Sequence, residues 1–92
     1  MKKDISVGMV VLSVMGRDAG SYYTVIAKRD DEYVYIADGE TRTIAKPKLK
    51  KIKHLKPNGD ILGKIAEKLD ANKQVFDSEI RSALRAFNDQ IK

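Results

Sequence analysis

The stretch Val10-Val-Leu-Ser-Val-Met-Gly-Arg-Asp-Ala-Gly-Ser-Tyr-Tyr-Thr-Val-Ile26 decides the fold, because it joins two apolar runs through a loop with two glycines. β-branched and aromatic residues favour extended strands, and glycine readily adopts the positive φ angles of tight connections. We therefore predict strands over Met9–Met15 and Tyr22–Lys28, connected by the loop Gly16–Gly20.

Short strands and tight turns continue as far as residue 57. An alternating pattern predicts a third strand over Tyr33–Ala37, and the Asp38-Gly39 that follows it is a favoured hairpin turn. Fourth and fifth strands are predicted over Thr41–Ala45 and Lys51–Leu55, with Pro47 between them because proline cannot donate to a central ladder. Five short strands with tight turns are typical of a small closed or nearly closed barrel.

The spacing of apolar residues changes to a helical period after Pro57-Asn58-Gly59. A first helix, with Asp60 as its N-cap, is predicted from Ile61, Leu62, Ile65 and Leu69. A second helix beginning at Asp77 or Ser78 is predicted from the stripe Ile80, Ala83, Leu84, Phe87 and Ile91.

The helices are expected to cover the first strand. That strand is apolar on both faces, so one face can line a barrel and the other needs a partner. The predicted fold class is therefore mainly β with C-terminal α. We expect a five-stranded barrel over residues 1–57 and one or two helices in residues 58–92 that pack on it.

Composition excludes several classes of protein. The chain has 92 residues and no cysteine, which excludes disulfides, thiolate metal sites and cysteine nucleophiles. The apolar run Val7–Met15 follows two lysines but is short and lacks a small-residue cleavage site, unlike a signal peptide. No run approaches the ~20 apolar residues of a membrane span. We expect a monomeric cytoplasmic protein that does not contact membranes.

The positive charge is confined to the first part of the chain. Met1–Gly59 has 12 Lys and Arg against 7 Asp and Glu, whereas Asp60–Lys92 has 6 of each. The segment Lys46–Lys56 contains six lysines and no acid, with Leu49, Ile52 and Leu55 between them as inward anchors. A basic strand of this kind indicates a polyanion-binding surface. The alternative is a solvated edge strand whose lysines prevent pairing with other sheets.

The glycine loop and the tyrosines are further binding candidates. Gly16–Gly20 lacks the spacing of a nucleotide P-loop, but its backbone N–H groups could approach a phosphate; otherwise it is simply a hairpin connection. The side chains of Tyr22, Tyr23, Tyr33 and Tyr35 could stack on unpaired bases. Tyrosines at alternating strand positions more often belong to the core, and we expect this of at least two.

Catalysis has no support in the sequence. His54 is the single histidine and lies among lysines, without a serine or carboxylate partner in a recognisable motif. The turn Asp30-Asp31-Glu32 lacks the spacing of a metal site. We expect no enzymatic activity, no cofactor, no metal and no small-molecule substrate.

The strand–loop–strand pattern within Val10–Gly39 resembles the KOW motif, with Gly20 at the position of its characteristic glycine. With the basic segment that ends in His54-Leu55, it resembles the KOW ribosomal proteins of archaeal and eukaryotic large subunits. The chain as a whole resembles their short bacterial relatives, which are RNA-binding proteins. The resemblance covers residues 5–57 and implies an SH3-like barrel that binds RNA, commonly ribosomal RNA.

We therefore predict an RNA-binding protein of the translation machinery, with ribosomal RNA and the ribosome as partners. The predicted RNA-binding residues are Arg17, Asp18, Gly20, Arg42, Lys46, Lys48, Lys50, Lys51, Lys53, His54 and Lys56. The alternative is a protein-interaction module of transcription or translation complexes that uses the barrel or the C-terminal helix. KOW modules serve both purposes, so the motif does not identify the partner.

Overall fold

Five strands form one antiparallel sheet in the computed structural model of this chain, which describes residues 5–89. In chain order they are β1 (Met9–Ser13), β2 (Tyr22–Lys28), β3 (Tyr33–Ala37), β4 (Lys48–Lys51) and β5 (Leu55–Ile61). They lie in the order β4-β3-β2-β1-β5, and a 3-10 turn over Ile52–His54 leads from one edge strand to the other. The helices that follow are α1 (Gly63–Asp70) and α2 (Asp77–Asp89). This is a small SH3-like barrel with C-terminal helices, so the predicted fold class is confirmed.

The strand predicted over Thr41–Ala45 is wrong, because these residues form bends between β3 and β4. The side chain of Asp38 holds the bends: its Oδ1 accepts hydrogen bonds from the backbone N–H groups of Glu40 and Arg42, at 2.9 and 2.8 Å. The Arg42 carbonyl in turn accepts hydrogen bonds from the N–H groups of Asp38 and Gly39. A side chain that satisfies neighbouring N–H groups stabilises a local loop in competition with strand pairing.

The bounds of two other strands differ from the prediction. The strand predicted over Lys51–Leu55 is wrong, because β4 ends at Lys51 and β5 begins at Leu55. The 3-10 turn separates them, and its residue Ile52 packs against the barrel interior. β1 ends before Val14 and Met15, whose side chains leave the sheet and are 44% and 54% exposed.

The predicted N-cap of the first helix is also wrong. Strand β5 runs through Asp60 to Ile61, which pairs with Met9 of β1. The helix begins at Gly63, with Leu62 at the N-cap position and no side-chain cap. Pairing with β1 therefore overrides the local capping signal of Asp60.

The second helix begins at Asp77, as predicted, whereas Ile91 lies outside the described residues. Within residues 5–89, no helix has the length and apolar character needed to span a bilayer. Strand β5 crosses the boundary expected between residues 57 and 58, and the division into two parts stays a prediction.

Buried apolar residues form two clusters on opposite faces of the sheet. The barrel interior contains Ile5, Val11, Tyr23, Val25, Val34, Ile36 and Leu55. The second cluster, between the sheet and the helices, contains Val10, Ala37, Ile65, Val75, Ile80 and Leu84. Adjacent residues of β1 therefore serve different clusters, and each buried Val or Ile contributes roughly 1.5–3 kcal/mol.

Helix α2 is attached to the barrel at both ends. At its start, Asp77 Oδ1 accepts a hydrogen bond from Ile44 N–H at 2.8 Å. Near its end, Asn88 Oδ1 accepts one from Tyr22 N–H at 2.8 Å. Gly39 permits the first contact, because it has φ +79° and a side chain there would collide with the Asp77 carbonyl oxygen. These contacts fix α2 beside the loops that follow β1 and β3.

Candidate nucleic-acid interface

A polar groove of about 950 Å³ lies between the β1–β2 loop, the β3–β4 connection and the end of α2 near Asn88. Its lining includes five of the predicted RNA-binding residues: Arg17, Asp18, Arg42, Lys48 and Lys50. These residues come from three segments of the chain. The fold thus gathers part of the predicted site into one concave surface, which we call the groove.

An ion pair lies at the base of the groove. The Lys50 ammonium donates hydrogen bonds to Asp18 Oδ1 and to the Met15 carbonyl oxygen, both at 2.6 Å. The Ser13 hydroxyl also donates to Asp18 Oδ1, at 2.8 Å. The Lys50 side chain is only 8% exposed. Lys50 was predicted to contact phosphates, but its ammonium is occupied in linking edge strand β4 to the β1–β2 loop.

The Asp18 carboxylate is held in its charged form by these partners. Burial raises the pKa of the Asp18 carboxyl, but the hydrogen bonds from Lys50 and Ser13 and the charge of Lys50 outweigh it. The pKa therefore lies below its ordinary value of 3.8. The second oxygen, Oδ2, is buried and has no hydrogen-bond partner within residues 5–89. Asp18 thus shapes the loop instead of presenting a charge to solvent.

Gly20 also has a role in loop shape. Its φ is +95°, as its position in a tight connection predicted. Its N–H donates to the Ser13 carbonyl oxygen at 2.8 Å, and the Ala19 N–H donates to the Gly16 carbonyl oxygen at 3.2 Å. These two N–H groups close the loop internally, so they are not directed at a ligand.

The cations along the groove come from different elements. Arg17 and Arg42 are exposed and Lys48 is half-buried, and Lys46 is exposed just before β4. Of the two acidic residues beside them, Asp38 has both oxygens engaged: Oδ1 by backbone N–H groups and Oδ2 by the Thr41 hydroxyl at 2.6 Å. The other, Glu40, is exposed, so accessible charges of both signs lie on this side of the barrel.

The remaining predicted residues do not line the groove. Lys51 ends β4 and lies 5.8 Å from the ring centre of Tyr33. Lys53 and His54 belong to the 3-10 turn, and Lys56 is exposed on β5. The lysines of residues 46–56 therefore do not share one surface, because β4 ends at Lys51 and the 3-10 turn separates it from β5.

At least two of the four tyrosine side chains pack against other residues of the protein. Tyr23 is 4% exposed, and burial, aided by the nearby acids Asp18 and Asp38, raises the pKa of its hydroxyl. The Tyr22 ring lies 5.7 Å from that of Phe87 on α2. These two rings therefore belong to the packing, as expected of at least two tyrosines.

Sequence reasoning missed the contact between Tyr33 and Arg29, whose guanidinium carbon lies 4.5 Å from the Tyr33 ring centre. The Arg29 side chain also pairs with Asp30, at 3.2 Å. The sequence signal for this contact is a cationic residue four positions before an aromatic residue, with a tight turn between them. Among residues 5–89, no cluster of three or more His, Cys, Asp or Glu could hold a metal ion.

Comparison with known proteins places the chain among ribosomal proteins. No family model matches the chain. It is 31% identical over 86 residues to the large ribosomal subunit protein eL14 of Pyrobaculum arsenaticum, an alignment that covers 94% of this chain and 77% of the relative. The same identity and coverage hold for eL14 of Pyrobaculum aerophilum. For eL14 of Saccharolobus solfataricus the identity is 30% over 84 residues, covering 91% and 80%.

These relatives are archaeal, and they confirm the predicted likeness to ribosomal proteins of the large subunit. The alignments extend across nearly the whole chain, beyond the residues that carry the KOW resemblance. On this similarity, the chain belongs to the eL14 family of large ribosomal subunit proteins.

Proposed function

We propose that this protein binds ribosomal RNA as a component of the large ribosomal subunit. The observation that carries the proposal is the 31% identity to eL14 proteins across 94% of the chain. The net charge of +5, concentrated in Met1–Gly59, supports it. Lys and Arg side chains that neutralise phosphates supply most of the affinity of such surfaces, through release of counterions.

The direct contacts to phosphate in this proposal are the accessible cations. In the groove they are Arg17, Arg42 and Lys48. Outside the groove they are Lys46, Lys51, Lys53 and Lys56, and His54 is proposed as a further RNA contact. Asp18, Gly20 and Lys50 act indirectly, by holding the β1–β2 loop in shape. Phosphate contacts position a protein on RNA without reading its sequence, so recognition depends on RNA shape.

We also propose several properties of this protein that its similarity to eL14 proteins does not establish. The protein acts without catalysis and without a cofactor, as a monomer until it joins the subunit, and in the cytoplasm where ribosomes work. We also propose a barrel part, residues 1–57, and a C-terminal part with the helices, residues 58–92, although strand β5 extends across this boundary to Ile61. The affiliation with short bacterial relatives stays a prediction, because the relatives compared above are archaeal.

A role as a protein-interaction module receives no specific support from α2. Its apolar stripe is already used within the protein, since Ile80 and Leu84 are 0% and 1% exposed. Ala83 and Phe87 pack against the same cluster. The outward face of α2 is polar, so the helix offers a partner no apolar docking surface.

The proposal is tested by binding to overlapping transcripts of large-subunit ribosomal RNA, measured by fluorescence anisotropy at several salt concentrations. One variant replaces groove cations: Arg17→Gln, Arg42→Gln and Lys48→Gln. The control removes the same charge from exposed cations of the helical part: Lys64→Gln, Lys73→Gln and Arg85→Gln. Lys50 is left intact in both, because its substitution would break the ion pair with Asp18.

We expect at least one transcript to bind tightly to the unmodified protein. The groove variant should bind it about 10²-fold more weakly, with a salt slope smaller by about 2, since each lost phosphate contact removes roughly 0.7–0.9 from the slope. The control should change both quantities much less. Failure of the unmodified protein to bind any transcript would overturn the proposal, and equal losses in both variants would overturn the assignment of the groove.

A further inference from the structure

Both cationic and acidic residues line the groove. Its accessible cations are Arg17, Arg42 and Lys48, whereas Lys50 is buried and paired with Asp18. Glu40 also lines the groove and is an exposed residue, whereas the Asp38 carboxylate is hydrogen-bonded within its own loop. A bare phosphate would be attracted by the cations and repelled by Glu40. The lining therefore suits a ligand that combines an anion with hydrogen-bond donors.

The floor of the groove is built and not merely a depression between loops. The Lys50 ammonium has three N–H groups and gives one to Met15 and one to Asp18. The third N–H group belongs to the same side chain, which is only 8% exposed and lines the groove. Ser21 and Tyr23 also line it, and its volume of about 950 Å³ lies within the range of small-ligand sites, roughly 300–1,000 Å³.

We propose that the groove holds one unpaired RNA nucleotide turned out of its helix, with its phosphate on Arg42 and Lys48 and its base against Glu40. This inference rests on the proposed function and deepens it, because it names the RNA feature that the groove recognises. An unpaired nucleotide has the required combination of a phosphate anion and a base edge with N–H donors. Such bases are read through their Watson–Crick edges in single-stranded loops and bulges.

The carboxylate of Glu40 determines which bases fit. An ionised carboxylate can only accept hydrogen bonds, so it favours a base edge that presents an amino group. Guanine presents an amino group beside a ring N–H and can pair with both carboxylate oxygens. Uracil presents one ring N–H between two carbonyl oxygens, which the carboxylate repels. The groove therefore prefers a bulged guanosine to a bulged uridine.

The test uses three RNA hairpins of the same stem sequence: one fully paired, one with a single bulged G and one with a single bulged U. Affinities are measured by fluorescence anisotropy with the unmodified protein, Glu40→Gln and the control Glu67→Gln, which removes an exposed acid from α1. We expect the bulged-G hairpin to bind about tenfold tighter than the bulged-U hairpin, the size of a good carboxylate–base contact.

Glu40→Gln should reduce the G-to-U preference to about twofold or less, because an amide both donates and accepts. A general gain in affinity from removing a negative charge would appear equally in Glu67→Gln and would not alter the preference. Equal binding of bulged and paired hairpins by the unmodified protein would overturn the nucleotide site while leaving RNA binding intact. Absence of binding to all hairpins and to all ribosomal RNA transcripts would instead overturn the proposed function.

Discussion

The Lys50 ammonium and the Asp18 carboxylate, 32 positions apart in sequence, meet at 2.6 Å with their side chains 8% and 13% exposed. Lys50 belongs to edge strand β4, and Asp18 to the loop after β1, and these two strands are not neighbours in the sheet. The pair therefore joins two parts of the barrel that no ladder hydrogen bond connects. It also sets the shape of the loop that carries Arg17.

Replacing Lys50 with methionine should destabilise the protein by roughly 3 kcal/mol, because it leaves the Asp18 charge buried without its main partner. Lys48→Met is the matched control: it lies on the same strand and is half-buried, and no ion pair of it is seen within residues 5–89. The control should change the free energy of unfolding by less than about 1 kcal/mol. Urea unfolding followed by circular dichroism measures both, and equal losses would show that the ion pair has no special role.

Stability should depend on pH through Asp18. Its pKa is lower in the folded protein than the ordinary 3.8, so the unfolded chain takes up a proton more readily as the pH falls. The stabilisation is therefore complete well above pH 4 and is lost as the pH decreases through the folded pKa. The difference in free energy of unfolding between the unmodified protein and Asp18→Asn should stay constant from pH 6 to about pH 5 and then shrink as the pH falls to 3. A difference that is constant over this range would contradict the assignment.

Local chemistry explains what could be predicted from the sequence. The strands on either side of Gly16–Gly20 and the start of α2 follow from propensity and turn residues that act over a few positions. The environment of Lys50 could not be predicted, because the residue looks like its neighbours in a lysine run and its partner is far away in sequence. For the same reason the sequence predicts five of the residues that line the groove but not the concave site that they form.

Two glycines with similar backbone angles should differ in their tolerance of alanine. Gly20 has φ +95° and no atom within 4 Å of where a Cβ would lie, so Gly20→Ala should cost only the backbone strain of about 1–2 kcal/mol. Gly39 has φ +79°, and a Cβ there would also collide with the first turn of α2 at Asp77. Gly39→Ala should therefore cost clearly more and loosen α2.

Thermal melts of the two alanine variants measure the difference directly. The loss in melting temperature should be at least twice as large for Gly39→Ala as for Gly20→Ala. The opposite order would mean that α2 can shift away from the β3–β4 loop at little cost. RNA binding should also distinguish the two variants. Gly20→Ala changes the loop that carries Arg17, whereas Gly39→Ala changes the contact between the β3–β4 connection and α2.

Asn88 should contribute measurably to stability through its hydrogen bonds to the backbone of Tyr22. Its Oδ1 accepts the Tyr22 N–H at 2.8 Å, and its Nδ2 lies 3.4 Å from the Tyr22 carbonyl oxygen, so it completes the backbone hydrogen bonds at the start of β2. Asn88→Ala leaves this half-buried N–H without its partner, which should cost about 1–3 kcal/mol. Ser82→Ala, on the exposed face of the same helix, should cost less than about 0.5 kcal/mol. Hydrogen exchange at the Tyr22 amide should accelerate in Asn88→Ala alone, and unchanged exchange there would show that this contact does not persist in solution.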